Sequence, residues 1–596
     1  MLAQLVEYYR RRAEDAPETT PLRGYSVEKI AFEIWLSPDG DLVAAPDLRV
    51  TEKKKLLPRL LAVPRSGGPR TSGVRAFFLS DKSSYLLGAD PKLKPAQVAE
   101  HFAASRALHH RLLDGVDDAG GRALLAFLDR WDPARAPELI PGWDDLAGLN
   151  LVIRLVDDHR YLHQRPALRA VWEAEVARQE GESLVGQCLV TGETGPIART
   201  HPMIKGVRGA QTSGAAIVSF TQDCFVSYGH DQGANAPVGG FAAFAYTTAL
   251  NELLRPGSDQ KLSLGDATVV FWADRQCEAE GVLGQMFNPP LDSAQDTGAE
   301  GDRALDPEAT DRLRRILHRL RDGQPVADTL ADFDPEVRFF ILGLAAPSES
   351  RLAVRFWRET TLGALLDHVG AHWRALRIEK RHPAEPDFPP PWLLMRQVAL
   401  AGKDENIPPA LGPAFLRAML TGAPYPDALL AAVLERMRAG HGESEPVSYL
   451  RVALIKAWLV RHRPEQKDLE DSLMTLNPDR PEASYHLGRL FAALERAQQL
   501  ALPGINATIK DRYFGTASAA PRSVFPNLIR LAQHHLSKVE TSGWLDRIIG
   551  EITGRIDDFP SHMPLADQGL FALGYYHQRN DLWRSKKTDD APHTES

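Results

Sequence analysis

Strand-like patterning stops at Trp357. Before it, β-branched and aromatic runs of strand length recur: Lys29–Val50 (KIAFEIWLSPDGDLVAAPDLRV), Asn150–Val156 (NLVIRLV), Ala267–Asp274 (ATVVFWAD) and Phe339–Trp357 (FFILGLAAPSESRLAVRFW). Beyond about Arg358, apolar residues recur at three- and four-residue spacing, which is helix periodicity. The fold class expected is therefore α+β: a mixed N-terminal domain with β-hairpins, followed by a mostly helical region ending in a four-helix bundle.

Turn and cap residues place the elements. In Lys29–Val50 a Pro-Asp-Gly turn separates two apolar runs, which predicts a hairpin, because glycine accepts the positive φ such turns require. Ala242–Leu254 (AAFAYTTALNELL) reads as a mostly buried helix. The stretch Asp292–Asp311 is acidic and nearly devoid of large apolar residues, so it reads as a linker. It ends in a helix start, with Asp306 as N-cap and Pro307 at the first helical position. Leu313, Ile316, Leu317 and Leu320 then form one apolar face. If Phe339–Trp357 pairs with strands from the N-terminal half, the linker is an insertion within one mixed domain. The expected boundaries are 1–357 for the mixed domain, 358–473 for a helical connection and 474–596 for the bundle. Its four predicted helices are Glu482–Leu500, Val524–Val539, Gly543–Ile556 and Leu565–Arg579. The second carries Phe525, Leu528, Ile529, Ala532 and Leu536 on one face, and the third Leu545, Ile548, Ile549 and Ile552. No repeat of 30–50 residues is evident, which disfavours a solenoid.

Composition excludes several classes. With 596 residues, 43% hydrophobic and 25% charged, the chain is neither disordered nor collagen-like. Its 70 Lys and Arg against 78 Asp and Glu give a net charge of −8, so any nucleic-acid surface must be a local reversal of the average field. Three cysteines, Cys188, Cys224 and Cys277, are too few for a disulfide framework and point to a reducing compartment. The opening residues lack the apolar core of a signal peptide. No stretch approaches the ~18 uninterrupted apolar residues of a membrane span, so a cytoplasmic protein with no membrane partner is expected.

A search for catalytic groups finds no nucleophile elbow, no Walker loop, no dinucleotide fingerprint and no HExxH pair. His368 and His372 lie four apart beside Asp367, yet no third ligand or glutamate base accompanies them. Cys188 and His201 lack the partner cysteine a zinc knuckle needs, since position 185 is Val185. His109-His110 and His534-His535 point to opposite helix faces. No catalytic residue, metal or cofactor is expected.

Local basicity says more. From Thr51 to Arg75 the cations Lys53, Lys54, Lys55, Arg59, Arg65, Arg70 and Arg75 face Glu52 alone. The interleaved Ser66–Gly73 segment, with Thr71 and Ser72, lets a backbone approach phosphates closely. Lys82 follows shortly after. A second segment, His201–Phe220, contains Lys205 and Arg208 and no carboxylate. Its glycines Gly206, Gly209 and Gly214 and its polar Gln211, Thr212 and Ser213 suit a backbone-phosphate clamp. A tight packed turn is the competing reading. Tyr228–Val238 adds Gln232 and Asn235 in a Gly/Pro-rich loop.

Several phrases together resemble one family. They are LVEYYRR, Arg70–Gly88 (RTSGVRAFFLSDKSSYLLG), YLHQRPALRAVW, Cys188–Phe220, NAPV, AYTTALN, DATVVFWAD, FFILGL, RLAVRFW and MTLNPDRPEASYHLGRLFAALERAQ. The resemblance is to the large subunit of type I-C CRISPR Cascade, the Csd-one or Cas-eight-c family, and it spans essentially the whole chain. It implies a non-catalytic subunit of an RNA-guided antiviral ribonucleoprotein complex. Such a subunit sits at the CRISPR RNA 5′ handle, beside the Cascade backbone and handle-binding subunits. It recognises the protospacer-adjacent motif in double-stranded target DNA, promotes duplex opening and R-loop formation, and helps recruit the helicase-nuclease. The family's C-terminal bundle resembles the Cascade small subunit and can be made separately by internal translation, for which Met474 is the matching start here. Guide pairing supplies most of the sequence specificity in such a system, so the protein need read only a short motif and the backbone. The expected DNA-binding residues are Lys53, Lys54, Lys55, Arg59, Arg65, Arg70, Thr71, Ser72, Arg75, Lys82, Lys205, Arg208, Gln211, Thr212, Ser213 and Asn235. Rival readings are a metal-dependent nuclease and a helical scaffold without DNA contact.

Overall fold

The β-branched runs become strands in the computed structural model, which describes residues 1–15, 20–52, 55–65, 73–181, 184–287, 307–327, 333–439, 445–539 and 542–589. Two units form. The first comprises Met1–Gly206, Ala210–Arg255 and Ser348–Leu352. The second comprises Val207–Gly209, Pro256–Pro347 and Ala353–Ser596. The expected mixed region 1–357 is thus shared between both units. The points expected as boundaries, 357 and 474, fall inside the second, whose apolar core draws residues from Leu262 to Leu582. The physical reason is continuous burial: helices on either side of residue 474 share one core, so no solvated seam separates them.

In the first unit the strands are β1 (Tyr25–Ile30), β2 (Phe32–Leu36), β3 (Leu42–Ala44), β4 (Val50–Glu52), β5 (Lys55–Leu57), β6 (Arg59–Pro64), β7 (Ser80–Lys82), β8 (Asn150–Leu155), β9 (Val185–Gln187) and β10 (Thr194–Pro196). A mixed sheet runs β3-β2-β8-β7, with β2 and β8 parallel and the outer pairs antiparallel. The predicted β2–β3 hairpin is present, and Gly40 takes φ +85° at its turn. Helices Pro95–Leu113 and Ala119–Arg130 belong to the crossover between β2 and β8, as a parallel connection requires. Ile34, Leu151 and Ile153 pack with Leu124, Phe127 and Trp172 in this unit's core. Two further ribbons, β1–β6 and β4–β5, are antiparallel. The helix predicted from Ala242 spans Gly240–Leu253.

The second unit holds β11 (Lys261–Leu264), β12 (Ala267–Ala273), β13 (Arg338–Ser348) and β14 (Arg351–Thr361) as one sheet in that order. β12 and β13 are antiparallel, with Phe271 opposite Ile341 and Val269 opposite Gly343. The chain between them therefore leaves and re-enters one sheet. Of the acidic stretch, residues 292–306, including the expected cap Asp306, lie outside the described residues; the helix that follows begins at Pro307 as its signal requires. Leu313, Ile316, Leu317 and Leu320 are all buried.

The C-terminal region is more helical than four elements. Helices Ala483–Ala501, Phe525–Leu536, Gly543–Thr553 and Leu565–Asp589 match the prediction, and Ile509–Ala519 adds a fifth. It starts with a capping box in which Thr508 and Asp511 satisfy each other's backbone N–H groups. Ala483–Ala501 and Leu565–Asp589 cross at very short range: a Cβ on Gly488 would overlap the Phe571 carbonyl, and one on Gly574 would overlap that of Tyr485. Phe514 stands edge-on to Phe571 and Tyr575 at 5.5 and 5.4 Å. The buried Glu495 carboxylate accepts from the Tyr575 hydroxyl at 2.6 Å and from Thr508 at 2.8 Å, so its charge is not left bare. Among the described residues, no helix is long and apolar enough to cross a membrane.

Candidate nucleic-acid interface

The expected residues fall into two groups. The first is a loop drawn tight at its neck: Ile204 and Ala215 exchange both backbone hydrogen bonds at 2.9 Å. Gly206, Gly209 and Gly214 all adopt left-handed backbone, at φ +86°, +82° and +101°. A side chain at Gly206 would press a Cβ to 2.6 Å from the Leu254 carbonyl, so the chain can pass there only as glycine. Within the loop Lys205, Arg208, Gln211, Thr212 and Ser213 are exposed, and Val207 is buried. The backbone N–H of Lys205 donates to the Asn251 side chain at 2.7 Å, and that of Arg208 to the Thr268 hydroxyl at 3.1 Å. These bonds fix the main chain while leaving both cationic heads outward. Neither head meets a carboxylate among the described residues. Gln211 spends its amide nitrogen on the Gly214 carbonyl at 3.0 Å.

Residues 349–352 staple this loop in place. The Gln211 N–H donates to the Glu349 carbonyl, the Ala216 N–H to Ser350, and the Leu352 N–H to Ala216, at 2.9, 3.1 and 2.9 Å. The Arg351 guanidinium reaches further, donating to the Ser219 carbonyl at 2.8 Å and to the Thr221 hydroxyl at 3.1 Å. Sequence reasoning missed Arg351. It sits in a run that reads only as strand, and its partners are more than a hundred residues away.

The second group surrounds Phe77. Arg65 donates to the carbonyls of Pro64 and Ser80 at 3.0 and 2.5 Å, and its guanidinium lies 4.0 Å from the Phe77 ring centre. Arg75 lies over the same ring at 5.5 Å. Arg65 thus braces β6 against β7, and both cations lie against the Phe77 ring. Lys82, at the end of edge strand β7, is exposed, as is Arg59 at the start of β6. Lys55 opens β5. Lys53, Lys54, Arg70, Thr71 and Ser72 lie outside the described residues. Asn235 has a local duty: its amide nitrogen donates to the carbonyls of His230 and Gln232 at 2.8 and 3.1 Å.

The groups weighed for metal binding are each engaged separately. His372 is fully buried and shares a 2.5 Å hydrogen bond with the Tyr425 hydroxyl, whereas His368 meets the Leu420 carbonyl at 3.2 Å. Cys188 is buried and its sulfur accepts from the backbone of Val190 and Thr191. His201 bonds the Tyr246 hydroxyl at 2.6 Å. Among the described residues no group of three or more His, Cys, Asp or Glu is placed to hold a metal ion.

An α+β chain whose exposed cations sit on a glycine-hinged loop falls, by sequence comparison, in the class of CRISPR-associated proteins. The matching family profile, described as CRISPR-associated protein (Cas_Csd1), covers residues 5–583, and the chain belongs to that family. No curated protein matches it.

Proposed function

We propose that this chain is the non-catalytic large subunit of a type I-C RNA-guided surveillance complex, which recognises the protospacer-adjacent motif in double-stranded DNA and promotes R-loop formation. The observation that carries the reading is the loop of residues 204–215. It is closed at its neck, hinged on three left-handed glycines, and it holds Lys205 and Arg208 outward without carboxylate partners among the described residues. An exposed cation on a held main chain, beside backbone N–H groups and hydroxyls, can grip a phosphate and reach a base edge. Arg59 and Lys82 are further exposed cations of the first unit. The remaining specificity falls to guide pairing, so the subunit needs no nucleophile. Contact with the guide RNA handle, the neighbouring subunits and the helicase-nuclease, and separate production of a bundle from Met474, are parts of the same proposal.

The test is target binding by the reconstituted complex. Lys205→Ala with Arg208→Ala should reduce motif-dependent DNA binding while assembly proceeds. Normal binding and opening of target by that variant would overturn the assignment. Cleavage of DNA by the isolated chain with Mg²⁺ or Mn²⁺ would overturn the non-catalytic reading.

A further inference from the structure

Beyond the stapled loop the chain rises into a finger, residues 221–231, whose every residue is exposed. Its tip is a tight turn: the His230 N–H donates to the Ser227 carbonyl at 2.9 Å, and Tyr228 and Gly229 take φ +52° and +73°. That is the mirror-image turn that closes two-residue hairpins, and its first position rarely holds an aromatic residue, because a β-carbon is crowded there. Tyr228 nevertheless occupies it and is 98% exposed. Both roots of the finger are pinned. On one side Arg351 holds Ser219 and Thr221 and lies over the Phe225 ring at 5.5 Å, while Phe220 meets Phe225 edge-on. On the other, Asn235 ties the carbonyls of His230 and Gln232, and the Gly233 N–H donates to the Arg199 carbonyl.

We propose that Tyr228 is a stacking platform for an unpaired nucleobase. The assignment rests on the DNA-binding reading of residues 204–215, because the same staple, residues 349–352, anchors both the basic loop and the finger. The finger has no Lys or Arg and carries Asp223 and Asp231, so holding phosphate is not its task. What it presents at its tip is the Tyr228 ring, 98% exposed against 37% for Phe225, on a backbone held by the turn, and every base has a face that such a ring can cover. A protein-docking patch would instead need a broad contiguous surface. A fully paired duplex buries its base faces, so the ring should discriminate for a base already out of the stack.

The experiment uses the full chain and two DNAs: a paired duplex and the same duplex forked, with 2-aminopurine as the first unpaired base. Tyr228→Asn keeps a residue that tolerates the left-handed turn and removes the ring; Tyr228→Trp keeps a ring. Wild type should quench 2-aminopurine and prefer the fork. Tyr228→Asn should abolish the quenching and lower the preference for forked over paired DNA about tenfold, and Tyr228→Trp should restore both. Unchanged quenching and preference in Tyr228→Asn would overturn the proposal. So would normal DNA behaviour of that variant with failure to assemble with its protein partners, which would make the finger a protein contact. Failure of wild type to bind either DNA would instead overturn the reading of the basic loop, so the two failures are distinguishable.

Discussion

The backbone N–H of Leu79 donates to Nε2 of His109 at 3.0 Å. The other ring nitrogen lies 2.7 Å from the Ser105 carbonyl, so it carries the proton and the imidazole is neutral. Leu79 stands at φ +57°, a strained setting for a branched residue, immediately before β7 and Lys82. A fully buried histidine thus helps hold the turn that starts an edge of the candidate interface.

Acid should loosen this unit. Burial pushes His109 and His163 down to about 4 from an ordinary 6.5. Below pH 6.5 the unfolded chain takes up protons that the folded chain refuses until about pH 4, so stability is full above 6.5 and falls as pH drops through that window. The slope is up to about 1.4 kcal/mol per pH unit for each such histidine. Denaturant midpoints at pH 7 and 5 check the sign, and His109→Gln should flatten the dependence. Equal stability at both pH values would contradict it.

Salt dependence should report on the loop. If Lys205 and Arg208 each neutralise one phosphate, replacing either by alanine reduces the slope of log affinity against log salt by about 0.9. Titrations between low and moderate salt measure this directly. A parallel shift with the slope unchanged would place the cations elsewhere than on phosphates.

Gly206→Ala should damage the loop without removing a charge. The new Cβ would lie 2.6 Å from the Leu254 carbonyl at φ +86°, which should cost about 1–3 kcal/mol locally. Gly192→Ala, also left-handed at φ +76° but with nothing within 4 Å, is the control for backbone strain alone. DNA affinity should fall for the first variant and hold for the second.

The helix crossing in the second unit should tolerate no added methyl. Gly488→Ala drives a Cβ into the Phe571 carbonyl and must spread the two helices, at about 3 kcal/mol or more. Gly550→Ala, in an open stretch of helix, should be neutral or slightly stabilising. Thermal unfolding of the two variants separates the effects.

What the sequence revealed was what is local. Runs such as Ala267–Asp274 could be recognised as strands because β-branched and aromatic residues leave few alternatives, and β12 is buried along its whole length. The helix Ile509–Ala519 escaped notice because it has few large apolar residues; its one local signal is the Thr508–Asp511 capping box. The cations were visible, but not what each does. Nothing near Arg65 in sequence reveals that its guanidinium braces Ser80, and Asn235 could not be told from a free polar reader until its carbonyl partners were known. Arg351 and Tyr228 depend on long-range and conformational facts: a staple spanning more than a hundred residues, and a left-handed backbone under an aromatic side chain.

The antiparallel register of β12 and β13 has an engineering consequence. Seven residue pairs, from Ala267↔Ala345 to Ala273↔Phe339, join chain segments on either side of the acidic stretch. Two polypeptides divided within that stretch should still find each other through the ladder and the shared apolar core, giving a natural place to split the molecule and control its reassembly.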